Sequence, residues 1–175
     1  MHVIDLTKPI YDHMPVFSGD PDLLISQVYT LEKDGWNMKR VAMNLHDGTH
    51  VNVPVHADPQ GKSLDDIPVE RFMGPCVLYQ NGMRFDAQTG VLFRDANIDM
   101  TIAQQMAKTP PKFIALSETF EMDLEVEKFT LTNGILSFEN LTNTNPLPAS
   151  FMFYGFPLKI KEGDGSPVRA VAMFE

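Results

Sequence analysis

Cysteine is almost absent from this chain, which has one residue of that type, Cys76, in 175. A lone thiol closes no internal disulfide, so a disulfide-stapled scaffold is excluded and the reducing cytoplasm is the expected setting. Between Gly74-Pro75 and Val77-Leu78, Cys76 reads as a small apolar residue at a strand start rather than as a nucleophile. Basic residues are also in deficit. Fourteen Lys and Arg face 23 Asp and Glu, for a formal net charge of −9, and no Lys/Arg cluster interrupts the excess. That balance argues against a nucleic-acid partner, which needs concentrated basic surface. No run approaches the ~20 apolar residues of a membrane span. The opening MHVIDLTKPIYDHMP lacks the basic lead and apolar stretch of a signal peptide. Neither nucleic acid nor membrane is therefore expected as a partner.

What is present is an ordinary globular composition, 43% hydrophobic and 21% charged. A chain of this length buries roughly 70% of its unfolded surface as one domain, which is expected to span residues 1–175. Thirteen prolines and 11 glycines cut it into short pieces. Between them lie runs rich in β-branched and aromatic residues: HVIDL, LLISQVYTL, RVAMNL, CVLYQN, KFIALS, GILSF, SFMFYGFPLKI and VRAVAMF. Two helices are predicted, one from the capping Asp99 to Lys108 before Thr-Pro-Pro and one from Asp123 to a terminating Gly134. VERFM fits a single further turn. The pattern predicts a strand-rich, mixed α/β fold.

Three of the five histidines fall within eleven residues, at His46, His50 and His56 of LHDGTHVNVPVHADP. The i, i+4 spacing of the first two would stack them on a helix, but Gly48, the β-branched alternation after it and Pro54 exclude one. At period two, His46, Gly48, His50, Asn52, Pro54 and His56 share one side, while Thr49, Val51, Val53 and Val55 share the other. Turns or bulges at Gly48 and Pro54 would let such a segment aim several imidazoles at one point. Imidazole is a ligand for zinc, iron and manganese, so the cluster points to metal binding or acid–base chemistry. A single histidine in such a place is more often just a hydrogen-bonded, partly buried residue; the grouping is what carries the reading.

The same stretch resembles the signature H-x-G-T-H-x-D-x-P-x-H of the cyclase family, which includes bacterial kynurenine formamidase and isatin hydrolase. Here it runs His46-Asp47-Gly48-Thr49-His50-Val51-Asn52-Val53-Pro54-Val55-His56. Similarity continues in IDLTKPIYDHMPVFSGDP (4–21), GKSLDDIPVERFMGPCVL (61–78), GILSFENL and FPLKIKEGDGSPVRAVA, and so covers most of the chain. The resemblance implies a swivelling β/β/α domain, assembled as a homodimer or larger homo-oligomer. It also implies metal-dependent hydrolysis of an amide in a small aromatic or cyclic substrate.

Carried over by position, the resemblance makes His46 and His50 metal ligands and His56 the proton donor and acceptor. Asn52 occupies the place of a ligating aspartate, Glu139 that of a ligating carboxylate, and Phe17 that of a tryptophan against the substrate. Glu127 stands twelve residues before Glu139, where the formamidases carry a further histidine ligand. These two departures preserve the charge of the ligand set, since loss of the aspartate is balanced by gain of Glu127. An amide oxygen bridges two cations poorly, so one divalent ion per chain, zinc or manganese, is expected instead of two. A second reading is a family member without catalysis that binds a small molecule or a structural metal, because Asn52 removes a carboxylate from the centre. A cupin-type centre would need a His-x-His pair, which this chain lacks.

Overall fold

The computed structural model describes residues 1–175. Its strands are β1 (His2–Asp5), β2 (Leu24–Tyr29), β3 (Met38–Ala42), β4 (His50–Asn52), β5 (Met73–Leu78), β6 (Gly90–Phe93), β7 (Ile114–Ser117), β8 (Ser137–Leu141), β9 (Ser150–Pro157) and β10 (Gly165–Phe174). The helices are α1 (Leu31–Asp34), α2 (Met100–Lys108) and α3 (Leu124–Thr132), with 3-10 turns at Pro54–His56, Leu64–Asp66 and Val69–Phe72.

Seven strands close into a barrel in the order β10-β4-β8-β7-β6-β5-β9, with β9 pairing back onto β10. One edge of β10 is divided, since Gly165–Pro167 pair with β4 while Val171–Phe174 pair with β1. The steps β5–β6, β6–β7 and β7–β8 are parallel, and the other ladders are antiparallel. A parallel step needs a crossover, and α2 and α3 supply two of them, between β6 and β7 and between β7 and β8. The result is the strand-rich, mixed α/β fold that the sequence predicts.

The barrel interior is filled by Phe113, Phe138 and Phe153, whose ring centroids lie 4.8 to 5.3 Å apart. Burying each such ring contributes about 1.5–3 kcal/mol. β6 begins on Gly90 because a Cβ there would come within 2.1 Å of the Phe113 ring. Outside the barrel, Ala103 and Met106 of α2 and Val126 of α3 pack with Val91, Phe93, Ile114 and Leu116 in a second apolar layer. Both helices start at the predicted acids. The Asp99 carboxylate accepts the Ile102 N–H at 2.8 Å, and α3 follows Asp123 and is followed by Gly134 at φ +73°.

Three local differences from the sequence expectation have physical causes. β6 is only four residues, buried on both faces, and so shows no alternation by which to find it. VERFM forms a 3-10 turn over Val69–Phe72 rather than an α-helical one, directly after Pro68. The strand read at RVAMNL is displaced, running from Met38 to Ala42, because it pairs only with β2, from Leu24↔Ala42 to Tyr29↔Met38. This β2–β3 hairpin is a separate two-stranded sheet, turned by α1 and by Gly35 at φ +78°, and no residue of either strand is buried.

Candidate metal centre

The histidine stretch leaves the hairpin and enters the barrel as β4. Its first turn is held by side-chain hydrogen bonds. The buried Asp47 carboxylate accepts the Asn44 N–H at 2.7 Å, and the Thr49 hydroxyl donates to the Asn140 carbonyl at 2.7 Å while accepting the Lys8 N–H at 2.8 Å. Gly48 sits at φ +66°, a backbone geometry that favours glycine. β4 itself is extended for only three residues, all buried, and Val51 and Val53 enter the core as the alternation predicts. Pro54 then opens the 3-10 turn that carries His56, so His56 departs from the period-two line and is swung over the site by the turn.

Neighbouring elements bring acids to the same place. β8 lies beside β4 with His50 opposite Glu139 and Asn52 opposite Ser137. Glu127 comes from the first turn of α3, where a carboxylate complements the helix dipole. Asp164 immediately precedes β10, whose Gly165 pairs with Asn52. Gly165 allows this approach, because a Cβ there would lie 2.6 Å from the His46 ring.

His46 is the hub. Its Nδ1 faces the Asn52 amide oxygen at 2.7 Å and its Nε2 faces Asp164 Oδ2 at 3.0 Å. The same Asp164 oxygen accepts His56 Nδ1 at 3.1 Å, and the His46 and His56 rings lie 4.0 Å apart between centroids. His46, His56 and Asp164 thus offer three ligand atoms within 4.8 Å of one another. Deeper in, the Asn52 amide nitrogen donates to Glu127 at 3.1 Å and to Glu139 at 3.0 Å, and the Ser137 hydroxyl adds a bond to Glu139 at 3.0 Å. No Lys or Arg pairs with either glutamate; the imidazole facing Glu127 is His56, whose Nε2 lies 3.8 Å away.

Burial sets the charges. His50 donates from Nδ1 to the Gly48 carbonyl at 3.0 Å, which leaves the lone pair on Nε2, and burial lowers its pKa to about 4. It is therefore a neutral imidazole, the form that binds metals, held by the backbone bond that metal-ligating histidines commonly make. Glu139 keeps some solvent contact as a residue, but its carboxyl lies deep, and burial together with the Glu127 charge raises its pKa to about 7. For Asp164, burial works to raise the pKa, but the bonds from His46 and His56 outweigh it and hold the carboxyl below its ordinary value. Two adjacent, largely buried carboxyl groups without a Lys or Arg partner, beside a neutral imidazole, fit a bound cation.

The structure brings His46, His50, Asn52, Glu127, Glu139 and His56 into one contiguous cluster. Phe17 is outside it, 69% exposed and in no aromatic contact. Asp164 was not anticipated from the sequence; its signal, an Asp between two glycines just before a strand, is weak without the fold. Asn140, at φ +58°, was also missed, although its amide nitrogen donates to the Gly48 carbonyl at 3.2 Å and so supports the acceptor of His50. Cys76 is buried, and burial pushes its thiol up, away from reactivity.

A model of the Cyclase family, described as "Putative cyclase", matches residues 4–137. The chain belongs to the Cyclase family. It is 26% identical to kynurenine formamidase of Salinibacter ruber over 208 residues, covering 98% of this chain and 97% of that protein. Among solved structures, isatin hydrolase A from Ralstonia solanacearum superposes with a TM-score of 0.79 at 18% identity, covering 99% of this chain and 92% of that one. A Bacillus stearothermophilus chain described as a "predicted metal-dependent hydrolase" gives 0.77 at 21%, covering 98% and 97%. The structural likeness places the barrel in the swivelling β/β/α fold of the family.

Proposed function

We propose that this member of the Cyclase family is a metal-dependent amidohydrolase acting on a small aromatic or cyclic amide, with aryl formamides and isatin-type lactams as the substrate classes. The observation that carries the reading is the Glu127–Glu139 pair, lacking any Lys or Arg and bridged by the Asn52 amide, with His50 opposite Glu139 and His46 facing the Asn52 oxygen. These five residues would hold one divalent ion per chain, zinc or manganese, since mixed nitrogen and oxygen donors suit both. When bound, such an ion supplies Lewis acidity toward a carbonyl and toward water.

The remaining work falls to His56 and Asp164. Because Asp164 accepts His56 Nδ1–H, the free lone pair of His56 sits on Nε2, the arrangement in which an acid orients a catalytic imidazole. His56 Nε2 takes a proton from water as its oxygen bonds to the substrate carbonyl carbon. The same proton passes to the nitrogen as the C–N bond breaks, giving a carboxylic acid and an amine. Asp164 also accepts from His46, so one carboxylate fixes both rings. The cytoplasmic setting and the single domain expected from the sequence accord with this reading.

Two donor sets share His46, and the test separates them. With the ion in the deeper set, His56→Ala retains the metal and loses turnover, while Glu139→Gln loses the metal. Metal loss in His56→Ala would put the ion in the His46–His56–Asp164 triad and remove His56 as the proton carrier. Absence of hydrolysis of N-formyl aromatic amines and isatin by zinc- and manganese-loaded protein would leave the binding-protein reading in its place.

A further inference from the structure

We propose that Asp65 is a positioning residue that fixes the loop presenting Asp164 to His56, and this rests on His56 being the proton carrier of the proposed hydrolysis. Residues 158–164 join β9 to β10 and end on the acid that His46 and His56 share. The Asp164 side chain is 43% exposed, so packing alone does not hold it. The loop before it is thinly packed as well. Leu158, Lys159, Lys161 and Glu162 are exposed, and Ile160 is the loop residue that packs against the barrel core. Glu162 also sits at φ +56°, a left-handed conformation that a residue with a side chain adopts at a cost.

The Asp65 carboxylate compensates that cost. Its Oδ1 accepts the Glu162 N–H at 2.8 Å, two residues before Asp164. Apart from Ser166, whose hydroxyl accepts the Leu158 N–H, no other side chain bonds the backbone of this loop. The same Asp65 oxygen accepts the Ser63 hydroxyl at 2.9 Å, so the acceptor is itself aimed. The Glu162 N–H and the Ser63 hydroxyl hold the Asp65 carboxyl below its ordinary pKa, which keeps it charged and the bond charge-assisted.

The segment that carries Asp65 is also seated against the turn that carries His56. The Val55 N–H donates to the Lys62 carbonyl at 3.2 Å, and a Cβ on Gly61 would lie 2.6 Å from the Pro54 backbone. On its other side, the Leu64 N–H donates to the Gly163 carbonyl at 2.8 Å. Residues 61–66 therefore bracket the imidazole and its acid together, and Asp65 is the side chain that closes the bracket. Misplacing catalytic groups by about 1 Å can cost about 10²-fold in rate. Asp65 bonds to none of His46, His50, Asn52, Glu127 and Glu139, so its removal should leave the ion in place.

The test uses the zinc-loaded full chain with two readouts. The first is the His56 Nδ1–H resonance in ¹H–¹⁵N spectra, assigned by its loss in His56→Ala, which reports the bond to Asp164 without turnover. It should be present in the unmodified chain, lost in Asp65→Ala as in Asp164→Ala, and recovered in Asp65→Asn, whose amide oxygen still accepts. The second is hydrolysis of N-formyl aromatic amines and isatin. Asp65→Ala should lower kcat by about 10–10²-fold with KM and bound zinc within about two-fold, and Asp65→Asn should recover most of that loss. In the Asp164→Ala background, Asp65→Ala should cost nothing further, because the two residues act as one unit. A His56 resonance absent from the unmodified chain or retained in Asp65→Ala overturns the proposal, as do equal kcat losses in both backgrounds. If the unmodified chain hydrolyses neither amide, the reaction reading fails, while the resonance still decides whether Asp65 places Asp164. Should Asp65→Ala not fold, Asp65→Glu, which displaces the acceptor by one methylene, takes its place with the same expected losses.

Discussion

β4 and β3 are separated by seven residues of one chain and could hardly differ more in what supports them. β4 is three residues long and buries all three, His50 and Asn52 as well as Val51. β3 is five residues long and buries none. β4 is clamped between β8 and β10, so its polar side chains can be held neutral or hydrogen-bonded at fixed points, which a metal or proton-transfer site requires. β3 has one partner strand and two open faces, so its apolar residues are held by neither a core nor a site. Within one fold, burial of polar groups is what marks the site, because such groups are buried only where something satisfies them.

The sharpest break comes from His56→Ala, which should lower turnover by about 10²–10⁴-fold while leaving the metal in place; paired metal and rate measurements check it, and Val41→Ala in the hairpin should leave both within a few-fold. Next, Phe138→Ala, under the β8 residues that face β4, should cost about 3–5 kcal/mol in denaturant unfolding. Opposite behaviour is expected at exposed Val41, where Val41→Ala should shift stability by no more than about 0.5 kcal/mol in the same unfolding measurement.

A smaller effect separates the two regions by pH in the metal-free protein. His50, lowered from 6.5 to about 4, contributes stability that is intact above 6.5 and is lost as pH falls toward 4. Glu139, raised from 4.5 to about 7, contributes stability that is intact below 4.5 and is lost as pH rises through 7. The two slopes oppose each other between 4.5 and 6.5, and above 6.5 only the Glu139 decline remains. Glu139→Gln should abolish that decline in pH-dependent urea titrations; a decline that persists would place the buried proton elsewhere.

Much of the site was legible in the sequence because it is local. The histidine spacing, the glycine and proline that turn the chain, and Val51 and Val53 as core residues all lie within eleven positions and obey simple periodicity. Glu127 and Glu139 were found through resemblance, and their meeting depends on α3 and β8, which no local pattern places side by side. Asp164 is 118 residues from His46, and only closure of β10 against β4 brings it there. The fold class followed from the density of turns and β-branched runs, while β6 escaped because burial on both faces removes alternation. The hairpin was legible as strands but not as a separate exposed sheet, since exposure is a property of the fold and not of the residues.

The central claim is that the buried carboxylates and the histidine stretch hold a metal. Elemental analysis of untagged protein purified without chelator, alongside Glu139→Gln, tests it most directly. The account predicts about one zinc or manganese per chain in the unmodified protein and little in the variant, as expected when a charged ligand is removed. Absence of metal in both, or equal metal in both, would contradict it.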